Sequence, residues 1–560
     1  MTGARLGTAG TGRNFSIGTP LVSGSPVRLA RIAMQDRLEF PRPEAANNGC
    51  VAAPRCSTGR VAFGTALLSS ASITKLLLQC ILIPVLARLL GPGIFGEMSI
   101  AMSFVLLANM LSDGGMGAAL IREQDPDQEL ESTVYWLSAL IGVALAAIVG
   151  LLAWPIAVLY GERNLFPVLL ALAPILVLSS SISVANARIV RLQRFEVFAA
   201  GDIGCAIVSA AAGLLLAFHG FGIWSLVVQQ TVFWMAKTAW ISVAAGFRPD
   251  FALRLKSARP LLRFSANNLA ANVADFAGRN APVLLVGGLL GTAAVARFAM
   301  SYQLTRVAEM VVSDPVNLAT FSGVSAAADR REANDFVVTA MRILLLLLLP
   351  LFVGLALTAD LLAPLVLGHR WAGTGPALAA LAPGALFLCL YRFATAVLLG
   401  KGHSGKTFKL TLLTGIATSL GTLAGVHFGV TWAVAGFSMG ALALAPLYLR
   451  SLARCLQLSF ADMLSAGGTS FAATAGMVCT VLLIRVLSDG FSPVVQFAMA
   501  VVGGALGFAA TAMLLGGREI LNDIRTLRKR VPERRKPDPA AWSFLPSAIE
   551  EASPPLEPVG

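Results

Sequence analysis

Leu89-Leu90-Gly91 followed by Ala101-Met102 returns 200 residues later as Leu289-Leu290-Gly291 followed by Ala299-Met300. Both copies stand in the hairpin after an apolar block, and each of those blocks opens a set of six. A looser echo pairs His219-Gly220-Phe221-Gly222-Ile223-Trp224 with His427-Phe428-Gly429-Val430-Thr431-Trp432, in the turn between the fifth and sixth blocks of each set. Six crossings return a chain to its starting side. The two sets therefore read as parallel repeats related by an axis along the membrane normal, with a cavity between them.

The blocks read as membrane spans. They run to roughly 18 to 25 residues, the length that crosses a hydrocarbon core about 30 Å thick. The chain of 560 residues is 56% hydrophobic and 13% charged, with a mean hydropathy of +0.74. A soluble domain carries about 25% charged residues, so this chain has too little polar surface to face water. Helices are expected at roughly 61–88, 95–119, 133–158, 165–187, 200–218 and 222–245 in the first set. The second set falls at roughly 264–289, 297–325, 336–358, 376–399, 409–428 and 430–449, with two more helices at 467–487 and 493–515. The expected fold is an all-α integral membrane protein of about 14 transmembrane helices, two parallel six-helix repeats plus two C-terminal helices.

The organisation follows from composition. Residues 1–60 are rich in Gly, Pro, Ala and Arg and lack the continuous apolar run of a secretory signal, which suggests a disordered cytoplasmic tail. A first lobe over 61–245, a basic linker over 246–263 and a second lobe over 264–450 come next. The final pair of helices lies within 467–515, before a basic and then Pro-rich tail over 516–560.

A formal charge of +13 raises the question of nucleic-acid binding, but the basic residues flank spans instead of forming one patch. Arg122, Arg188, Arg191, Arg194, Arg330, Arg331, Lys401, Lys406, the linker and both tails share one side. The other side holds Arg88, Arg163, Arg297, Arg370 and Arg485. The positive-inside rule then places both termini in the cytoplasm.

Candidate functional residues are charges stranded in apolar helices, where one charge costs about 2.5 to 3.5 kcal/mol. They are Lys75, Lys237, Asp275, Arg279, Arg306 and Glu309. Asp275 and Arg279 are four apart and Arg306 and Glu309 three apart, spacings that suit ion pairs on one helical face, structural or ligand-binding. Lys75 occupies the position equivalent to Asp275 at the 200-residue offset and is expected to face it across the repeat interface. Arg88, nearer the outer face, is either a cavity cation or a snorkelling side chain. Asp113 with Gly114, Gly115 and Gly117 reads as a helix end capped by a turn, with a gating hinge as the alternative. The seven cysteines and four histidines show no metal-ligand spacing, so no metal is expected. Gly400-Lys401-Gly402-His403-Ser404-Gly405-Lys406 lacks the spacing of a phosphate-binding loop and follows a helix, so no ATPase is expected.

Ala87-Arg88-Leu89-Leu90-Gly91-Pro92-Gly93-Ile94-Phe95-Gly96, joined to Asp113-Gly114-Gly115-Met116-Gly117, resembles the polysaccharide transporter family. These are the oligosaccharide flippases of the superfamily that also holds multidrug and toxin extruders and lipid II flippases. Arg191-Leu192-Gln193-Arg194-Phe195, Gly220 to Leu226, and Arg279-Asn280 followed by Leu284-Leu285-Val286-Gly287 are similar to the same family, and the resemblance runs from about 61 to 515. Pro282-Val283 and Ser322 depart from its pattern.

The resemblance implies a flippase that moves a polyprenyl-diphosphate-linked oligosaccharide, a lipopolysaccharide or exopolysaccharide precursor, across the bacterial inner membrane by alternating access. It implies no catalytic residue and no cofactor, and leaves proton and sodium coupling both open. Its partners would be the lipid-linked oligosaccharide, membrane lipids, and the polymerase and export proteins of the pathway, with no nucleic acid. Lys75, Arg88, Arg279 and Arg306 would supply cations for the diphosphate, beside Asp275 and Glu309. One rival, a cation-coupled multidrug exporter of the same superfamily, calls for an acidic cavity. Another, a membrane glycosyltransferase or polymerase, calls for a large external loop that the spacing of the blocks leaves no room for.

Overall fold

The computed structural model describes residues 58–113, 116–117, 120, 127–192, 194–246, 249–250, 276, 280–326, 329–457 and 467–530, with no strand among them. Residues 1–57, most of the expected linker, the first turns of the seventh expected helix and the C-terminal tail from 531 lie outside the described residues.

Helix α1, Thr58–Asp113, is broken at Gly91, where φ is 77° and ψ 173°. A glycine is needed there because a Cβ disfavours that backbone geometry. Helix α2 is Gln128–Tyr160, and α3 (Leu165–Leu172), α4 (Pro174–Ser181) and α5 (Ser183–Arg191) make one jointed span. Pro174 opens α4 at a joint, since a proline cannot donate to the preceding turn. Helices α6 (Phe195–Phe218) and α7 (Ile223–Ala245) close the first set.

The second set opens with α8 (Asn280–Leu290) and α9 (Thr292–Ala308), with Gly291 between them at φ 81° and ψ 178°. A π turn over Glu309–Ser313 leads into α10 (Asp314–Ala326). Helices α11 (Arg330–Leu367), α12 (Thr374–Gly400), α13 (Ser404–Val426), α14 (Val430–Ala443) and α15 (Ala445–Leu456) follow. Helices α16 (Gly468–Leu487) and α17 (Pro493–Arg530) complete the chain. Each block expected from the sequence is helical over most of its described residues.

Ten segments of the described residues are long and apolar enough to cross a membrane. One of them, Ser70–Ser112, has 43 residues. At about 1.5 Å per residue it is twice the length the bilayer core needs, so the break at Gly91 divides it into two crossings. Over their described residues, helices α7, α9 and α10 are not among these segments, and α8 is described only from Asn280. These stretches, with the π turn between α9 and α10, carry Lys237, Arg306 and Glu309.

Lipid gives little hydrophobic drive for helices to associate, so close backbone approach at small residues matters more. Helices α13 and α14 meet in this way. A Cβ on Gly421 would overlap the carbonyl of Gly436, and one on Gly436 would overlap that of Gly421. Ile100, Leu169 and Leu176 lie in a core centred on the first set, and Leu348, Phe352 and Phe393 in a core of the second. A smaller cluster of Ala87, Ala296, Met300, Leu367 and Trp371 draws on both sets. The last two helices attach to α11. Met477, Val481 and Ala500 pack on Val353 and Leu357, and Arg485 donates to the Leu357 carbonyl at 2.6 Å and pairs with Asp360.

Candidate functional site

Charged side chains from both sets meet in one cavity of about 580 Å³, lined by Ser72, Lys75, Gln79, Asp202, Gln303 and Arg306 among others. Helix α1 supplies Lys75, α6 supplies Asp202 and α9 supplies Arg306. Asp202 lies seven residues into α6, and Lys237 eight residues from the end of α7. At 1.5 Å per residue both are about 10 Å deep, a depth at which a bare charge is costly.

Asp202 answers that cost for two lysines at once. Its Oδ1 forms an ion pair with Lys237 Nζ at 2.7 Å and its Oδ2 faces Lys75 Nζ at 3.8 Å. The ring of Phe233 lies between the two ammonium groups, 5.2 Å from Lys75 and 5.7 Å from Lys237. Phe198 at 5.2 Å and Trp234 at 6.0 Å also face Lys237, a cation–π setting. A second, smaller cavity of about 400 Å³ reaches Lys237 from its other side, past Asn109, Ser183, Asn186 and Phe276. Arg306 is exposed to the larger cavity and has no ion-pair partner among the described residues.

Two expectations change. Arg88 does not line either cavity. It stands thirteen residues beyond Lys75 near the break in α1, where its Nε donates to the Val366 carbonyl at 3.2 Å and its Nη2 to that of Leu365. Those carbonyls end α11 and lack helical partners, so the guanidinium satisfies them. Glu309 does not pair with Arg306. Arg306 is exposed, and Glu309, the first residue of the π turn, is buried against Arg392 of α12 at 3.3 Å. Arg392 also reaches Asp314 at 3.3 Å. Lys75 is paired within its own half, by Asp202; its expected counterpart Asp275, with Arg279, lies outside the described residues. Gly114, Gly115 and the side chain of Asp113 also lie outside them, while Gly117 falls in a short helical stretch at 116–117.

Far from the cavity, the two sets are joined. Trp371 is fully buried; its Nε1 donates to the Ala87 carbonyl at 2.9 Å and its ring meets Phe95 edge-on at 5.6 Å. A Cβ on Gly96 would overlap the Thr292 carbonyl, and the Thr292 hydroxyl donates to Glu162 at 3.0 Å. Tyr160 donates to the Leu284 carbonyl at 3.3 Å. One end of the bundle is therefore closed by contacts between the sets, and the charged cavity lies about 20 Å from that end along α1 and α9.

Asp202 and Arg392 are the residues that sequence reasoning missed. Arg392 was visible as a charge in the tenth apolar block. Asp202 was hidden by a boundary: a helix starting at 200 puts it at the interface, whereas α6 starts at Phe195 and carries it two turns inward.

An all-helical, multi-pass membrane protein with a charged cavity between two helical sets has the architecture of a transporter. The chain belongs to the polysaccharide biosynthesis protein family, which its sequence matches over residues 85–376. It is 25% identical to the succinoglycan biosynthesis transport protein ExoT of Rhizobium meliloti (strain 1021), over 61% of this chain and 69% of that protein. It is 22% identical to the lipopolysaccharide biosynthesis protein WzxC of Escherichia coli (strain K12), over 59% of this chain and 67% of that protein. Its fold is similar to that of the lipid II flippase MurJ in an inward closed conformation, with a TM-score of 0.68 and 14% identity, covering 81% of this chain and 100% of the other. An inward-facing MATE family multidrug resistance transporter aligns at a TM-score of 0.54 and 16% identity, covering 68% and 95%.

Proposed function

We propose that this protein translocates a polyprenyl-diphosphate-linked oligosaccharide, a precursor of lipopolysaccharide or exopolysaccharide, across the bacterial inner membrane by alternating access. The observation that carries the reading is the excess of positive charge at the cavity between the sets, whose described lining holds Lys75, Arg306 and the carboxylate Asp202, with Lys237 paired to Asp202 beside it. An ammonium or guanidinium is the partner a diphosphate needs, and arginine binds phosphate oxygens bidentately. Family membership and the names of the relatives support a polysaccharide pathway. A drug exporter for organic cations would call for the opposite balance.

Transport then proceeds without a nucleophile or cofactor, by rocking one six-helix lobe against the other about the 246–263 linker. The contacts at Arg88 and Trp371 close one end while the cavity is reached from the other. With both termini cytoplasmic, the closed end is periplasmic. Deleting the gene and quantifying extracellular polysaccharide and polyprenyl-linked repeat units tests the reading. Lost polymer with lipid-linked units accumulated in the cytoplasmic leaflet is expected; unchanged polymer and lipid pools would overturn it.

A further inference from the structure

Among the described residues that line the cavity, Asp202 is the one carboxylate and Lys75 and Arg306 are the cations, and the two ion pairs of Asp202 are unequal. The Lys237 pair is short, and that ammonium is 14% exposed and held by three aromatic rings. The Lys75 pair is longer at 3.8 Å, and Lys75 is 35% exposed with one ring near it. Lys237 therefore fixes Asp202 to the wall, and Lys75 is the ammonium that an entering anion can take. Arg306 stands on the other wall, on the second set, without a competing carboxylate among the described residues.

We propose that Asp202 is an internal stand-in for the substrate's phosphate: it occupies Lys75 when the cavity is empty, yields that lysine when a diphosphate enters, and takes it back to expel the head group. The inference rests on the reading of this cavity as the diphosphate site. Charge supports it. Lys75 and Arg306 on the cavity wall, with Asp202 and the Lys237 that pairs with it from the neighbouring cavity, sum to two positive charges among the described residues, and a diphosphate esterified at both ends carries two negative charges at neutral pH. Without Asp202 the lining would hold the head group with one further positive charge at the same depth. Binding would tighten, but the return of Lys75 to an internal partner, which favours release, would be lost. A translocating site must bind weakly enough to let go, so Asp202 serves turnover at the expense of affinity.

The test uses the full-length protein purified in detergent, with geranylgeranyl diphosphate as the probe and geranylgeraniol as the control for the tail alone. Asp202→Asn and Asp202→Ser are measured in parallel so that the result does not hang on one variant's folding, with export of polysaccharide scored in cells. Both are expected to bind the diphosphate about tenfold tighter than the wild type while exporting less, and Asp202→Glu to bring affinity back toward the wild type. In a Lys75→Gln background the tightening should vanish, since Asp202 acts through that lysine. If the neutral variants bind no tighter while Lys75→Gln binds more weakly, the role given to Asp202 is overturned and the cavity reading stands. If wild-type protein binds the diphosphate no better than geranylgeraniol, both fall together.

Discussion

Gly91 and Gly291, 200 positions apart, adopt the same backbone conformation, φ 77° and ψ 173° at the first and φ 81° and ψ 178° at the second. Each breaks a helix at the hairpin where the Leu-Leu-Gly repeat was read. The repeat is thus a recurrence of backbone geometry as well as of letters, in a region that only glycine enters without strain.

Gly91→Ala and Gly291→Ala are each expected to lower stability by about 1 to 3 kcal/mol through that strain. Thermal unfolding of the purified variants measures it. A loss at one position with none at the other would show that the two hairpins are not equivalent.

Charge reversal in the cavity is expected to stop export without stopping insertion. Lys75→Glu and Arg306→Glu should leave the protein at near-normal abundance in the membrane and reduce extracellular polysaccharide at least tenfold. Export at the normal level in both would show that these cations are not used.

Breaking the Glu309–Arg392 pair takes a guanidinium away from a buried carboxylate, since the Glu309 side chain is 2% exposed. Arg392→Met is expected to destabilise by about 3 kcal/mol, and the double change Glu309→Gln with Arg392→Met by clearly less. The double-mutant cycle, read by thermal unfolding, separates the pair's energy from the loss of each side chain.

Loosening the closed end should expose the cavity. With Trp371→Ala the hydrogen bond to Ala87 and the edge contact to Phe95 both go. A single cysteine at Gln79, in a background without the native cysteines, is then expected to react faster with an impermeant maleimide supplied from the closed side. Equal rates before and after would show that Trp371 does not hold that end shut.

The membrane fold was legible because its signal is long and redundant: runs near twenty apolar residues, bounded by charge, repeated in two sets. The site was legible in part. Lys75 and Arg306 showed as charges within apolar runs, and the structure brings them to one cavity. Their partners were not legible, for physical reasons. Asp202 depends on where a helix starts, which sequence places only to within a turn or so. The partner of Glu309 is Arg392 on a helix distant in sequence, and the periodicity within one helix carries no mark of which neighbour it packs against.

Helices α7, α9 and α10, which over their described residues are not among the segments long and apolar enough to cross on their own, lie in the middle of the chain between strongly apolar neighbours. Biogenesis inherits a constraint from this. Residues suited to hold a charged cargo make poor passengers for a bilayer entered one helix at a time, so this central stretch must be retained by the spans made before it and secured by those made after it. The repertoire of substrates open to such a protein is then bounded by its assembly as well as by its affinity, because each charge added to the cavity must first survive the passage of its own helix into lipid.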